Sequence, residues 1–404
     1  MTKKTDIIVV GAGPCGSYAA YNAAKLGANV TVYESHKTVG APKHCAGHIN
    51  IKSLQRLGIK VPKQALENEI KGAVFYSAAG NKFILRCQNP VTYVLDRELF
   101  DKHIAELAEN AGATIELNSP VKSLVFDSGC VKGVSLKGGK TSESKIVIDA
   151  EGCSSSLLKQ AGLHGLNSSM VARGIQAEVD NVKDVNNDMV EVYLGNNVAP
   201  GFFAWIIPRK DGSAKVGLAT RHGDPQVFLK NFMTKHPVAS KKLDGSKTTY
   251  ISAHPIPLEG PIPRTYANGF LAVGDSASQV KATTGGGVVF GLTCAEVAGN
   301  VAVEAVNRQD FSEEFLSTYQ SRWKKLVGFD LSAMLQMRKM LDSLSDRRID
   351  RVIDLANMFG IDVLLEKFGD LDFQGRSLIP MIRYPATLAV VGYFVFSYLT
   401  STQR

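Results

Sequence analysis

Apolar and polar positions follow two different patterns along this chain, and each pattern predicts a different kind of element. Short uninterrupted apolar runs, at residues 7–10 and inside the segment 145–149, are typical of strands that are buried on both faces of a parallel sheet. Apolar positions at helical spacing predict an amphipathic helix over residues 97–110. Alternating apolar and polar positions over residues 70–86, and in the runs between 168 and 258, predict an antiparallel sheet.

The order of these patterns predicts an α/β fold (α+β overall), with a Rossmann-type nucleotide-binding domain that receives an inserted antiparallel-sheet domain. The predicted nucleotide-binding domain is discontinuous and comprises residues 1–60, 90–165 and 265–310. The predicted substrate-binding sheet domain comprises residues 61–89 and 166–264. A helical C-terminal region, with an apolar tail over 384–403, is predicted for residues 311–404.

The most informative stretch follows the first apolar run, where a GxGxxG motif is formed by Gly11, Gly13 and Gly16. A helix of small residues comes next, and a second apolar run ends at Glu34. In such a unit the glycines allow a tight turn, a close approach of the backbone to a pyrophosphate and close helix packing. The helix N-terminus offers N–H groups to the phosphates. Glu34 is placed to accept hydrogen bonds from an adenosine ribose, which favours FAD or NAD over NADP.

Three further motifs point to a flavin. Arg97 begins a predicted helix and can reach phosphate or ribityl oxygens, and residues 149–155 turn away from a buried strand. Gly274 precedes Asp275, which can accept a hydrogen bond from a ribitol hydroxyl. Ten residues after Asp275, the backbone can pass close to a flat ring because three glycines follow one another: Gly285, Gly286 and Gly287. Val288 then begins a predicted helix, and the N-terminus of this helix can stabilise negative charge on reduced flavin. Because a simple NAD dehydrogenase has no use for this second cradle, the motifs together predict FAD.

Composition narrows the class of protein further. The net charge of +8 and the pI of about 9.0 favour an anionic partner such as a lipid surface or an acidic protein. A nucleic-acid partner is not predicted, because the chain has no dense basic stripe interleaved with aromatic residues. The six cysteines contain no CxxC pair, so neither a metal site nor a disulfide framework is predicted, and a reducing cytoplasm fits. No signal peptide is predicted before the nucleotide fingerprint.

The C-terminal segment has no charged residue between 384 and 403. Its apolar part, residues 384–399, would be roughly 24 Å long as a helix, against a hydrocarbon core of roughly 30 Å. Three interpretations are open: a tail anchor or membrane-dipping helix, a buried C-terminal helix, and an oligomer contact. The first predicts a protein at the cytoplasmic side of the membrane, peripheral or tail-anchored. A basic cluster would attract anionic headgroups or form a solvated, acid-paired helix face: Arg338, Lys339, Arg347, Arg348 and Arg351.

With these motifs assembled, the chain resembles the p-hydroxybenzoate-hydroxylase-like flavoproteins and, within them, the geranylgeranyl reductase family. The likeness is to its archaeal members that saturate the isoprenoid chains of membrane lipids. Residues 42–48 (PKHCAGH) resemble the family's Pro-x-x-Cys-x-Gly-like loop at the flavin. Residues 200–208 (PGFFAWIIP) resemble its Pro-x-x-Tyr-x-Trp-x-Phe-Pro motif, in which Phe203 replaces the tyrosine. The resemblance implies a polyprenyl substrate channel lined by Pro200, Phe203, Trp205 and Pro208.

The resemblance also implies the reaction and the residues at the cofactor. The implied reaction saturates isolated double bonds of geranylgeranyl chains by hydride transfer from N5 of reduced flavin plus protonation. Cys45 is the first candidate for the proton source and His48 the second; packing on the flavin and a backbone contact are their alternative roles. The electron donor is open between a ferredoxin and NAD(P)H. The implied FAD contacts are Cys15, Glu34, Cys45, Ala46, Gly47, His48, Arg97, Val121, Asp275, Gly287 and Val288.

Two alternative functions are compatible with the same motifs. One is a FAD-dependent monooxygenase that acts on an aromatic or isoprenoid substrate, which would consume oxygen together with NAD(P)H. The other is a non-catalytic electron-transfer flavoprotein at a membrane, which would be reduced by a protein donor and release no product.

Overall fold

The computed structural model describes residues 5–401. Its strands, in chain order, are β1 (Ile7–Val10), β2 (Val30–Tyr33), β3 (His48–Asn50), β4 (Leu66–Ile70), β5 (Gly72–Tyr76), β6 (Lys82–Arg86), β7 (Thr92–Leu95), β8 (Thr114–Glu116), β9 (Val121–Asp127), β10 (Cys130–Leu136), β11 (Thr141–Glu143), β12 (Ile146–Asp149), β13 (Val171–Asp180), β14 (Met189–Tyr193), β15 (Ala204–Pro208), β16 (Ala214–Thr220), β17 (Lys247–Pro257), β18 (Tyr266–Ala267) and β19 (Phe270–Ala272). Its helices are α1 (Pro14–Lys25), α2 (Ile51–Arg56), α3 (Arg97–Asn110), α4 (Ser156–Gln160), α5 (Pro225–Lys235), α6 (Ala239–Leu243), α7 (Val288–Arg308), α8 (Glu313–Trp323), α9 (Phe329–Asp342), α10 (Asp346–Met358), α11 (Ile361–Phe368), α12 (Gln374–Met381) and α13 (Pro385–Ser401).

The first compact unit contains the Rossmann-type sheet. Its chain segments are residues up to Lys43, Arg97–Met170 and Pro257–Ser332. The strand order is β18-β19-β12-β1-β2-β8, and the five strands from β19 to β8 run parallel. Every residue of β1 is buried, because α1 covers one face of the sheet together with α3 and α7, and the antiparallel sheet β9-β10-β11 packs on the other. The uninterrupted apolar runs that predicted these strands follow from this double burial.

The second compact unit contains a seven-stranded sheet of order β17-β13-β16-β15-β14-β5-β6. Its chain segments are His44–Asp96, Val171–Ile256 and the residues from Ala333 onward. The predicted hairpin over 70–86 is present as β5 and β6. One expectation needs correction: β5 pairs with β14 in parallel, because a long excursion rather than a hairpin connects these two strands. The alternating pattern also missed α5 and α6, which cover the apolar face of β13 and β16.

The boundaries of the two units differ from the predicted domain segments. Residues 44–60, which we assigned to the nucleotide-binding domain, cluster with the seven-stranded sheet. The helical region that we treated separately divides, and its part from Ala333 onward belongs to the second unit. There α10, α11 and α12 pack on β6 and on one another around Phe83, Ile353 and Met381.

The C-terminal apolar segment forms the helix α13 as far as the structure describes it. Within residues 5–401, one helix is long and apolar enough to cross a membrane, namely α7, and 72% of its apolar window is buried. This burial identifies α7 as a core helix. The apolar helix over Pro385–Thr400 is shorter than that criterion requires.

Candidate active site

The glycine loop between β1 and α1 is so tight that two of its three glycines cannot carry a side chain. A Cβ on Gly11, whose φ is +97°, would lie 2.5 Å from the carbonyl oxygen of Ala150. A Cβ on Gly16 would lie 1.9 Å from the carbonyl oxygen of Gly11. At Gly13, in contrast, no described atom lies within 4 Å of the Cβ position. The N-terminus of α1 therefore opens onto free space where a pyrophosphate can approach the backbone.

Glu34 follows β2 beside this loop and is buried. Its Oε2 accepts a hydrogen bond from the backbone N–H of Ala12 at 2.8 Å, and its Oε1 accepts one from the N–H of His36 at 2.9 Å. Burial raises the pKa of Glu34, but the hydrogen bonds from Ala12 and His36 outweigh burial, so the pKa lies below its usual value. The carboxylate therefore stays ionised at the strand end where a ribose acceptor is required.

A second group of predicted cofactor residues, around Asp275 and the start of α7, lies against the glycine loop at the start of α1. A Cβ on Gly274 would lie 2.9 Å from the Sγ of Cys15, and a Cβ on Gly287 would lie 2.8 Å from Oδ1 of Asp275. The thiol of Cys153 lies 3.8 Å from Oδ2 of Asp275. Three motifs that are far apart in sequence therefore meet around the Asp275 carboxylate.

Burial and nearby charges shift the pKa values of the side chains around Asp275. Arg97 is buried at the start of α3 and donates to both carboxylate oxygens of Asp101, at 2.9 and 3.0 Å. Burial raises the pKa of Asp275, and the charge of Arg97 offsets part of that rise. Burial also raises the pKa of the Cys15 and Cys153 thiols, and the Asp275 carboxylate raises both further. Both thiols are therefore protonated at neutral pH, and they pack as uncharged groups beside the carboxylate.

A run of three glycines precedes α7 and supplies its N-cap. Gly285 has a φ of +70°, and Gly287 is the N-cap of α7 without any side-chain hydrogen bond to the first turn. The first turn carries no acidic residue, so the positive end of the helix dipole favours a negatively charged group of a ligand there. Gly286 lies between these two glycines, and Val288 begins the helix. Val121 lies at the start of β9 against the core of the same unit.

These surroundings fit FAD. The open end of α1 suits a pyrophosphate, and the ionised Glu34 suits a ribose. Asp275 suits the ribitol, and the positive dipole end of α7 suits the electron-rich edge of a reduced flavin. The sequence motifs had placed all these groups at one site, and the first unit brings them together.

The second unit holds the remaining residues predicted at the flavin: Cys45, Ala46, Gly47 and His48. The backbone N–H of Gly47 donates to the Sγ of Cys45 at 3.5 Å. A Cβ on Gly47, whose φ is +71°, would lie 2.1 Å from the carbonyl oxygen of Leu95 at the end of β7. The Cys45 loop therefore depends on a glycine to pass this close to β7.

Two histidine contacts adjoin the Cys45 loop. The Nε2 of His48 hydrogen-bonds to the hydroxyl of Thr92, which fixes the imidazole on β7. His44, which precedes Cys45, stacks on His254 with the ring centroids 3.8 Å apart. Sequence reasoning missed the second pair, because no local signal connects residues on β17 with a loop 210 positions earlier.

The segment 200–208 forms an aromatic row on β15 and in the turn before it. The rings of Phe202 and Phe203 stack at 4.2 Å, and Phe203 meets the ring of Trp205 edge-on at 6.0 Å. The indole N–H of Trp205 donates to Oε1 of Gln176 at 3.2 Å. Trp205 lies so close to Gly217 of β16 that a Cβ there would be 2.6 Å from the indole. Gly217 was not predicted, although a glycine inside a strand signals such close contact.

The aromatic row reaches the Cys45 loop within the second unit. Trp205 and Ala46 both pack on one small apolar cluster, formed by Ile70, Val94, Val190 and Ile207. The two prolines at the ends of the segment are held through their carbonyl oxygens. Pro200 accepts from the hydroxyl of Thr220 at 2.9 Å, and Pro208 accepts from the side chain of Asn68 at 2.9 Å.

Comparison with known proteins agrees with this geometry. The family described as "FAD binding domain" matches residues 4–327. Digeranylgeranylglycerophospholipid reductase 2 of Methanothermobacter thermautotrophicus is 34% identical over 403 residues, which cover 96% of this chain and 99% of the relative. The corresponding reductase of Methanocaldococcus jannaschii is 34% identical over 90% of this chain and 93% of its own.

This chain belongs to the digeranylgeranylglycerophospholipid reductase family. It is therefore a FAD-dependent oxidoreductase, and the predicted cofactor and Rossmann-type fold are confirmed. A crystal structure from Thermoplasma acidophilum, of a geranylgeranyl bacteriochlorophyll reductase-like protein, superposes with a TM-score of 0.85 at 26% identity. It covers 97% of this chain and 99% of its own.

Flavin-dependent halogenation occurs on the same fold. The flavin-dependent brominase Bmp2 superposes with a TM-score of 0.74 at 17% identity and covers 97% of this chain and 99% of its own. That likeness concerns the fold alone. Membership of the reductase family implies a lipid substrate and a redox partner in general terms.

Proposed function

We propose that this protein saturates isolated double bonds in the geranylgeranyl chains of membrane glycerophospholipids. The observation that carries the proposal is the apolar cluster on which both Trp205 and the Cys45 loop pack. An aromatic row that shares an apolar cluster with the Cys45 loop is suited to a methyl-branched run of isoprene units, because such a chain offers neither charge nor hydrogen bonds for recognition. The reduced flavin, when bound, supplies a hydride.

The protein's own residues have three tasks in this reaction. Pro200, Phe203, Trp205 and Pro208 line the path of the isoprenoid chain and exclude water from it. Cys45 provides the proton for the second alkene carbon, and the N–H of Gly47 beside its sulfur supports the charge that remains there. Holding alkene and acid together replaces a bimolecular encounter and lowers the entropic part of the barrier.

The test is an anaerobic incubation of the holoenzyme with dithionite and digeranylgeranyl glycerophospholipid, followed by mass spectrometry of the lipid. We expect mass gains in steps of two hydrogens. Replacing dithionite by reduced ferredoxin or by NAD(P)H identifies the electron donor. An unchanged lipid in all three incubations, with oxygen-dependent hydroxylation in a parallel aerobic one, would replace the proposal by a monooxygenase.

We also propose that the protein acts at the cytoplasmic face of the membrane as a peripheral protein. Among residues 385–400 the polar Thr387 and Ser397 are buried, whereas the apolar Leu388, Phe396 and Leu399 are more than half exposed. Side chains of Arg348 hydrogen-bond to the C-terminal part of α13 and hold this helix on the unit. The membrane-facing set, as we define it, is Met358, Phe359, Val363, Ile379, Ile382, Leu388, Val395, Phe396 and Leu399.

Charge complements this membrane-facing set. Exposed basic residues lie on the same helices and the turns between them: Arg347, Arg351, Lys367, Arg376 and Arg383. Apolar side chains that enter the acyl boundary and cations that meet anionic headgroups together favour a lipid surface over water. Because the polar Thr387 and Ser397 face the unit while apolar side chains of α13 are exposed, the interfacial arrangement is the one we propose.

A further inference from the structure

Lys215 is a charged residue in a position that the strand pattern would give to an apolar one. It lies on β16, where all seven residues are buried, and its side chain is 3% exposed. On the neighbouring strand it pairs with Ile207, two positions along the ladder from the pair of Trp205 with Gly217. A buried ammonium is costly unless each of its N–H groups finds an acceptor. Its acceptors therefore indicate why the lysine is there.

The three acceptors of Lys215 tie the Cys45 loop to its neighbours. The ammonium lies 2.6 Å from Oε2 of Glu67, 2.9 Å from the carbonyl oxygen of Leu95 and 3.1 Å from that of Ala46. Leu95 in turn donates its N–H to the carbonyl of Gly47 at 2.9 Å. A single cation thus holds the backbone immediately after Cys45 against the end of β7.

The charge of Lys215 is balanced within a short network. Glu67 also pairs with Arg209 at 3.2 Å, and Arg209 pairs with Glu178 at 2.7 Å. Burial lowers the pKa of Lys215, whereas Glu67, and more weakly Cys45, raise it. The carbonyl that the ammonium binds at 3.1 Å belongs to Ala46, the residue directly after Cys45.

We propose that Lys215 is a positioning residue for Cys45, which fixes the Cys45 loop and stabilises the thiolate that proton delivery leaves behind. This inference rests on the proposed function, in which Cys45 is the acid. In that step the S–H bond of Cys45 breaks, its proton forms a C–H bond with one alkene carbon, and sulfur keeps the electron pair. The other carbon receives a hydride from the reduced flavin, which becomes oxidised. The nearby cation lowers the energy of the new negative charge.

The experiment measures the thiolate directly, in the holoenzyme and without substrate. The rate of Cys45 alkylation by iodoacetamide is followed from pH 6 to 10 by peptide mass spectrometry. Lys215→Gln keeps N–H donors for the two carbonyls but removes the charge, and Lys215→Met removes both. For both variants we expect a midpoint displaced to higher pH and a rate at pH 7.5 that is roughly tenfold lower. Lys210→Met, on the exposed turn after β15, is the matched control and should match the wild type.

The outcomes separate this inference from the proposed function. Lipid reduction is measured on the same variants, and a lower kcat at unchanged KM is expected if Cys45 is the acid. If the wild type reduces no lipid, the alkylation profiles still decide the coupling between Lys215 and Cys45. Profiles of folded Lys215 variants that coincide with the wild type would overturn it.

Discussion

Gly13→Ala is the sharpest test of the proposed pyrophosphate site at the N-terminus of α1. Gly11 and Gly16 are required because a Cβ would clash with the backbone, whereas Gly13 leaves space for a ligand. Gly13 has a φ of −62° and a ψ of 175°, which alanine adopts without strain, and no described atom would touch the new methyl. The same change at Gly16 would put a Cβ 1.9 Å from a carbonyl oxygen. We therefore expect Gly13→Ala to fold and Gly16→Ala to be severely destabilised.

The magnitude of the effect on FAD binding follows from what the methyl displaces. It would occupy the free space in front of the first turn of α1, where the pyrophosphate meets backbone N–H groups. A hydrogen bond to a charged group contributes about 1.5–3 kcal/mol, so losing one weakens binding about 10- to 100-fold. Gly13→Ala should lower the free energy of unfolding by only about 1 kcal/mol, which is the typical effect of a poorer N-cap residue.

The assay is a titration of the apoprotein with FAD, followed by flavin fluorescence, with thermal unfolding of the apoprotein measured in parallel. Gly392→Ala is the matched control, since no described atom lies within 4 Å of its Cβ position either and it is remote in sequence from the loop. It should leave the Kd for FAD unchanged. A wild-type Kd in Gly13→Ala would refute the assignment of the pyrophosphate to this space.

Three further predictions concern charge and surface. The pKa of Glu34 is lower in the folded than in the unfolded protein, so its stabilising effect is present above the unfolded pKa and is lost as pH falls through the folded one. Glu34→Gln should therefore lower Tm at pH 7, and the difference in Tm should vanish at pH values below the folded pKa. The pKa of Asp275 is raised by burial, so Asp275→Asn should raise the Tm of the apoprotein at pH 7 and weaken FAD binding about 5- to 10-fold. Phe396 and Leu399 are 62% and 57% exposed, and changing both to serine should reduce binding to anionic vesicles about 10- to 100-fold.

Each of these predictions has a control in the same chain. Glu109→Gln, on the exposed side of α3, should leave the acid limb of the stability curve unchanged. An Asp275→Asn apoprotein that is less stable than the wild type at pH 7 would contradict the burial argument. For the vesicle experiment the control is a double serine variant at Val227 and Ile251, which are 54% and 58% exposed. Equal losses for both double variants would mean that α13 is not the surface that meets the lipid.

Much of the nucleotide site could be predicted from the sequence, because its determinants are local. Each of its motifs specifies a local backbone geometry within a few residues: the GxGxxG loop, the strand end at Glu34 and the glycine run before α7. Their order along the chain then identifies the cofactor. The strands β1 and β12 were equally predictable, since burial on both faces leaves an uninterrupted apolar run.

Other features depend on segments that meet only after folding. The partners of Lys215 come from residues 46, 67 and 95, and a lysine within a strand gives no sign of which acceptors it will find. The parallel pairing of β5 with β14 and the cover of α5 and α6 were missed for the same reason.

The sequence by itself determined the Rossmann unit, the FAD motifs and the family. These features depend on short-range requirements, namely glycines at tight turns and apolar runs in strands that are buried on both faces, and such patterns can be read from neighbouring residues. Tertiary structure alone decided which side of α13 is buried, where Thr387 and Ser397 lie inward while Phe396 is exposed. It also decided that one buried ammonium connects β16 with the Cys45 loop. Such features arise from contacts between distant segments, and their free energy depends on the arrangement of those segments in space.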